Sequence, residues 1–248
     1  EGGSVESGEA TNGGNIYCSG SFTMTGGEIA KGKATEKGGN IIYENEGTAM
    51  TVSGGTIKEG TANNGGNIYL SKGEINMTGG NVLDGKATGT GGANRVGCGG
   101  NIYMAKGKMT VEKATISNGD ASNSRGGNVY MDNGVQLTLN SGTQVTGGTS
   151  GKNGGSIYGN GSNVIVIDGA SITGGTSKEG GGNILLGGSG TLTMKSGVVS
   201  GGKAAYAGNI CINASATMTL EGGSVESGEA TNGGNIYCSG SFTMTGGE

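Results

Sequence analysis

The chain has 248 residues, 61 of them Gly, with no Pro, Trp or His and a formal net charge of −4 from 15 basic and 19 acidic side chains. Gly at this level without Pro excludes collagen, and 31% hydrophobic residues placed periodically exclude an elastic or disordered linker. The acidic balance argues against a nucleic-acid partner, no apolar run is long enough for membrane insertion, and the missing His removes the commonest general acid–base and zinc ligand.

Taken from the N-terminus, the first marker is Gly13-Gly14-Asn15-Ile16-Tyr17. Its Asn position returns at Asn40, Asn67, Asn101, Asn128, Ser156, Asn183, Asn209 and Asn235, at spacings of 25, 27, 34, 27, 28, 27, 26 and 26 residues. That period is too long for a nonapeptide roll and lacks the helical periodicity of two-helix repeats. Three short runs follow one another in each unit. The first begins on the marker, as in Ile16-Tyr17-Cys18 or Ile102-Tyr103-Met104; the second alternates, as in Phe22-Thr23-Met24-Thr25 or Leu137-Thr138-Leu139-Asn140; the third centres on one aliphatic residue, such as Ile29, Ile116 or Val199. Side chains of a strand alternate between faces, so the aliphatic positions point inward and the Thr, Asn and charged positions outward. The sequence therefore predicts an all-β, right-handed parallel β-helix with three short strands per coil and about 27 residues per coil.

Gly at the corners permits positive φ, and Pro is excluded because it would remove a ladder donor from strands paired on both sides. The Gly before each Asn predicts a corner where either φ or the closeness of neighbouring coils forbids a Cβ. Stacked one coil apart, Asn15, Asn40, Asn67, Asn101, Asn128, Asn183, Asn209 and Asn235 are expected to form a structural amide ladder, with Ser156 the exception. Two positions after the Asn the chain carries Tyr17, Tyr69, Tyr103, Tyr130, Tyr158 and Tyr237, interrupted by Ile42, Leu185 and Cys211. Alternation places this column outward, either as a stiffening stack or as an exposed contact stripe. An outward Thr row beside the second strand has a companion row broken by Glu112, Asp168, Lys195 and Glu221, which spoils the flat hydroxyl lattice of an ice-binding face.

The fourth coil is the irregular one. Its additional residues fall between Gly89 and Cys98, and Asn94, Arg95 and Val96 mark a possible recognition loop. Cys18, Cys98 and Cys211 have no CxxC spacing and read as small buried hydrophobes, with a Cys18–Cys211 contact between coils as the alternative. The four Asp residues, Asp84, Asp120, Asp132 and Asp168, lie at different places around the coil. No nucleophile, phosphate-loop or metalloprotease motif accompanies them, so no catalytic residue, metal or cofactor is assigned and the chain is not read as an enzyme.

Residues 221–248 repeat residues 1–28 letter for letter. Residues 1–220 are therefore expected to form one eight-coil superunit and 221–248 the start of the next, in an uncapped solenoid continuing as a fibre.

The Gly-Gly-Asn-Ile-Tyr and Phe-Thr-Met-Thr-Gly-Gly-Glu-Ile phrases resemble the β-helical repeats of large bacterial and archaeal adhesin-like surface proteins, and are similar to the GGxI repeats of chlamydial polymorphic outer-membrane proteins. The FxxN partner motif and the barrel of the latter group are not found. The resemblance implies an extracellular or cell-surface protein for adhesion or scaffolding. The leading expectation is a structural filament whose partner is itself, head to tail, with lateral filaments or glycan as further partners. The alternative is an adhesin stalk that binds glycan or host protein through the Tyr stripe or the fourth-coil loop; a polysaccharide-acting enzyme is the remote one.

Overall fold

Apolar residues at every second position of runs such as Lys108–Val111 need one buried face, and a strand paired on both sides by like strands provides it. In a computed structural model, described over residues 2–90 and 95–248, the chain satisfies this as a parallel β-solenoid of about nine turns, roughly 27 residues apart. The coil that starts at Asn101 serves as the type. Its strands are Ile102–Met104, Lys108–Val111 and Thr115–Ser117, followed by a fourth, Asp120–Ala121. Registers are in phase: Ile102 pairs with Ile68 on one side and Val129 on the other, and Tyr103 with Tyr69 and Tyr130. Where the corner between the second and third strands straightens, the two merge, as in Val164–Thr173.

The core is a set of stacked columns along the axis. Ile102, Met104, Met109, Val111 and Ile116 fill one layer, and their counterparts in the coils above and below fill the next, all essentially inaccessible to water. Burial of each such side chain contributes about 1.5–3 kcal/mol, and dispersion between identical neighbours adds to it.

The three expected strands per coil are present, and a short fourth one joins them. The fourth strands form a sheet of their own, with pairs such as Lys86–Ala87 against Thr61–Ala62 and Asp120–Ala121 against Thr149–Ser150. Each is reached through a left-handed corner residue: Lys31, Glu59, Asp84 and Asn118 have φ between 53° and 57°, and Gly147, Gly174 and Gly201 take the same place in later coils. This is the bend that lets a two-residue strand turn away from the third face.

Candidate functional site

Two features run the length of the solenoid on opposite sides of the first strand: a column of amides at its entry and a column of rings on its outer face. The amide column begins at the Gly-Gly corner. The first Gly of each pair is left-handed, with φ of 67° at Gly126 and 68° at Gly99. The second has ordinary φ, and a Cβ on Gly127 would collide with the carbonyl oxygen of Gly155 on the next coil. Of the two reasons the sequence left open for this glycine, close approach of neighbouring coils is the operative one.

That close approach brings the amides into contact. Asn101 Oδ1 accepts from Asn67 Nδ2 and from the Gly85 N–H, both at 2.8 Å, while Asn101 Nδ2 donates to Asn128 Oδ1 at 2.8 Å and to the Ser117 carbonyl at 2.7 Å. The same pattern links Asn15 to Asn40, Asn40 to Asn67, Asn183 to Asn209 and Asn209 to Asn235. Every donor and acceptor of the Asn40, Asn67, Asn101 and Asn209 amides is thus used. The Gly N–H groups they hold sit just after the left-handed corner residues, where strand pairing offers them no partner. These four amides have no hydrogen-bonding capacity left for a ligand.

Ser156 interrupts the ladder. Asn128 Nδ2 keeps only the Thr146 carbonyl among the described residues, and Ser156 Oγ reaches Asn183 Oδ1 at 3.5 Å, too long for a strong bond. The neighbouring backbone is unchanged, with Asn128 N–H to Ser156 O and Ser156 N–H to Asn183 O at 3.0 Å each. Ser156→Asn is therefore expected to close the gap and raise stability by about 1 kcal/mol, measured as a higher urea midpoint at constant slope. An unchanged or lower midpoint would mean that this coil cannot admit an amide.

The ring column corrects the expected exposed stripe. Tyr69, Tyr103, Tyr130 and Tyr158 do leave the main core, but they are buried in a second apolar cluster with Ile42, Cys98, Leu185, Ala207 and Cys211. The segment between the fourth strand and the Gly-Gly corner folds back over them. Lys37 Nζ lies 5.4 Å from the centre of the Tyr69 ring and the Arg125 guanidinium 5.4 Å from that of Tyr158. Consecutive rings stack at centroid distances of 4.8, 4.7 and 5.5 Å with interplanar angles of 8°, 24° and 15°. Only Tyr17 and Tyr237, in the two terminal coils, are exposed members of the column.

Burial, and after it the nearby Asp132 carboxylate, pushes the Tyr69 phenol up to about 12. Tyr103, Tyr130 and Tyr158 are raised as well, again chiefly by burial. A phenol whose folded pKa exceeds its unfolded value of ~10 contributes stability that is complete below that pH and is lost as pH rises through the folded value. On alkaline titration these four phenols are expected to ionise late and together with the loss of β-sheet circular dichroism. Smooth ionisation of all eight tyrosines near the ordinary phenol value, with the fold intact, would contradict the burial.

Of the proposed recognition loop, Asn94 lies outside the described residues. Arg95 Nη1 forms an ion pair with Asp132 at 3.0 Å, and Asn64 brackets the segment by donating to the Arg95 carbonyl at 2.9 Å and accepting from the Cys98 N–H at 3.0 Å. Asp132 also accepts from Asn160 Nδ2 at 3.3 Å and from the Tyr103 hydroxyl at 3.4 Å. Val96 is half-buried beside this clamp. The described part of the insertion is thereby tied down over the ring column, a role the sequence did not indicate because Asp132 and Arg95 are 37 positions apart.

The Cys18–Cys211 contact does not form. Cys18 packs against the main core, whereas Cys211 belongs to the ring column on the opposite face of the first strand and pairs across coils with Tyr237. All four cysteines are free thiols, and burial pushes the Cys211 thiol up to about 11. Among the described residues no group of three or more acidic or Cys side chains converges on a point where a metal could sit.

Fold and site together define a β-solenoid repeat protein with an internal amide ladder and a covered tyrosine stack. Comparison with known proteins returns no matching family model, no matching curated protein and no matching solved structure.

Proposed function

We propose that the chain is part of a structural, non-enzymatic extracellular or cell-surface filament built from tandem superunits, each equivalent to residues 1–220. The observation that carries this reading is the behaviour of the duplicated segment. The same 28 residues are present with a following coil, as residues 1–28, and with a preceding coil, as residues 221–248. Val5 is 46% exposed and its copy Val225 is 8% exposed, while Met24 is 6% exposed and its copy Met244 is 51% exposed. Each copy covers what the other leaves open.

The two copies also share a conformation. Ser7 and Ser227 have φ of 62° and 54°, and Gly13 and Gly233 both have 63°. Glu28 N–H donates to the Gly3 carbonyl at 3.0 Å and Glu248 N–H to the Gly223 carbonyl at 2.9 Å, so the second copy begins the ladder that the first continues. A coil placed after Glu248 as residues 29 onward are placed after Glu28 meets the contacts it already makes here. Paired strands throughout the interior favour resistance to proteolysis, which suits a surface or extracellular setting. The resemblance of the Gly-Gly-Asn-Ile-Tyr phrases to adhesin-like surface repeats points the same way.

The test is the denatured, reduced mass of the protein from its native source, read together with electron micrographs. Expected are a mass of many superunits and a fibre with an axial repeat of about 38 Å, eight coils at ~4.8 Å each. A chain near 24.0 kDa, seen as separate short particles, would overturn the reading.

A further inference from the structure

Among the described residues of the interior coils, the cover over the ring column changes at Gly180. In successive coils the residue just before the Gly-Gly corner, or its Ala207-Gly208 counterpart, is Lys37, Asn64, Cys98, Arg125, Asn153, then Gly180, then Tyr206, and of these Lys37, Cys98 and Arg125 pack on the rings. Gly180 has no side chain, and a Cβ there would already press on Asn153 Oδ1 and Leu185 Cδ1 at 3.2 Å each. Gly180 lines a groove of about 510 Å³, within the range of small-ligand sites, ~300–1,000 Å³.

The floor of the groove is apolar: Tyr158, Leu185 and Cys211, all at least nine-tenths buried. One wall carries Glu179, whose Oε2 accepts from Asn153 Nδ2 at 2.7 Å. The opposite wall is Tyr206, 49% exposed although its coil is an interior one, with the Tyr237 ring tilted 58° to it at 5.8 Å. The Asn213 amide closes one end. Charged side chains of both signs, Arg125 and Glu179, line it, so the groove favours neither an anion nor a cation. An exposed aromatic face beside carboxylate, amide and phenol groups suits a ligand with an apolar C–H face and a rim of hydroxyls.

We propose that this groove binds a neutral sugar residue of a polysaccharide, stacked on the Tyr206 ring and hydrogen-bonded by Glu179 and Asn213. The site is independent of filament formation. If the filament reading holds, the groove recurs once per superunit, about every 38 Å at ~4.8 Å per coil, and weak single-site binding becomes strong avidity on a polymer with matching spacing.

The experiment uses the 248-residue chain as it stands, in affinity electrophoresis through gels containing neutral β-glucan, mannan, galactan or glycol chitin, with polygalacturonate as the anionic comparison. Retardation by at least one neutral polymer is expected. Tyr206→Ala removes an exposed ring and should weaken it roughly tenfold or more. Gly180→Gln, which restores a side chain over the floor, should abolish retardation; circular dichroism verifies that both variants fold. Retardation by none of the neutral polymers, retardation by polygalacturonate alone, or retention that both folded variants preserve would each overturn the assignment. Because the measurement reads single chains, its failure would leave the filament's mass and axial repeat as they are.

Discussion

Gly127→Ala is expected to cost more than about 4 kcal/mol, enough to unfold the chain or to split the solenoid at that coil. The added methyl would meet the Gly155 carbonyl oxygen, the Thr149 amide nitrogen and the Gly148 carbonyl carbon. All three are backbone atoms, so no rotamer change relieves the collision. The coils would have to separate, and the bonds that fix their spacing would lengthen: Gly127 N–H to Gly154 O at 3.2 Å, Asn128 N–H to Ser156 O at 3.0 Å and Val129 N–H to Ser156 O at 2.8 Å. Gly126→Ala, one residue earlier, is the control. Its φ of 67° penalises a Cβ, which would also meet the Val129 carbonyl oxygen at 2.5 Å; that contact lies within one corner and not between coils, and Ala207 occupies the equivalent place in another coil with φ of 53°, so a smaller loss, about 1–2 kcal/mol, is expected. Urea denaturation of the two variants checks the contrast. Equal losses would mean that left-handed φ, and not coil spacing, fixes the Gly-Gly pair.

Period and columns make most of this fold legible in the sequence. Ile102, Met104, Met109, Val111 and Ile116 read as inward because alternation in a strand has only two sides, and the stacked register follows once identical residues recur at one place in each coil. The fourth strand escapes that reasoning: two residues such as Lys86–Ala87 are too short to alternate. Its trace is the column Ala34, Ala62, Ala87, Ala121, Ser150 and Ser177 ahead of successive Gly-Gly corners, small residues with no apolar periodicity. The tyrosines failed differently. Alternation correctly sends Tyr103 out of the main core, but it reports the side of the strand and says nothing of what lies beyond it. The covering segments are rich in Gly, Asn, Lys and Ser, and their grip on the rings, through Lys37, Arg125 and Cys98, has no periodic apolar pattern to announce it. The groove at Gly180 is legible only once that cover is known.

Asn101→Leu tests whether the amide ladder holds the coils together or follows from them. Leu keeps the branched outline of Asn but is bulkier, so four hydrogen bonds of 2.7–2.8 Å are lost and methyl groups that need wider spacing take their place. The losses are unequal. Asn67 Nδ2 keeps the Leu83 carbonyl, Asn128 Oδ1 keeps the Gly119 N–H, and the Ser117 carbonyl keeps the Asp84 N–H. The Gly85 N–H, by contrast, loses the acceptor that the corner provides for it. Four bonds at about 1 kcal/mol each, with a further ~1–3 kcal/mol for a buried donor left unpaired and a partial return from the apolar replacement, give an expected loss of about 3–5 kcal/mol. Asn101→Asp separates chemistry from shape: it retains the Oδ1 acceptor but replaces Nδ2, with its two N–H donors, by a carboxylate oxygen facing the Ser117 carbonyl and Asn128 Oδ1. Burial against those oxygens raises the folded pKa of the new carboxyl above its unfolded ~3.9. The variant is therefore least impaired below that pH and loses stability as pH rises through the folded pKa, which melting curves at acid and neutral pH would register. A Leu variant as stable as the parent would mean that stacked apolar columns alone set the coil spacing and the amides merely occupy a corner that already exists.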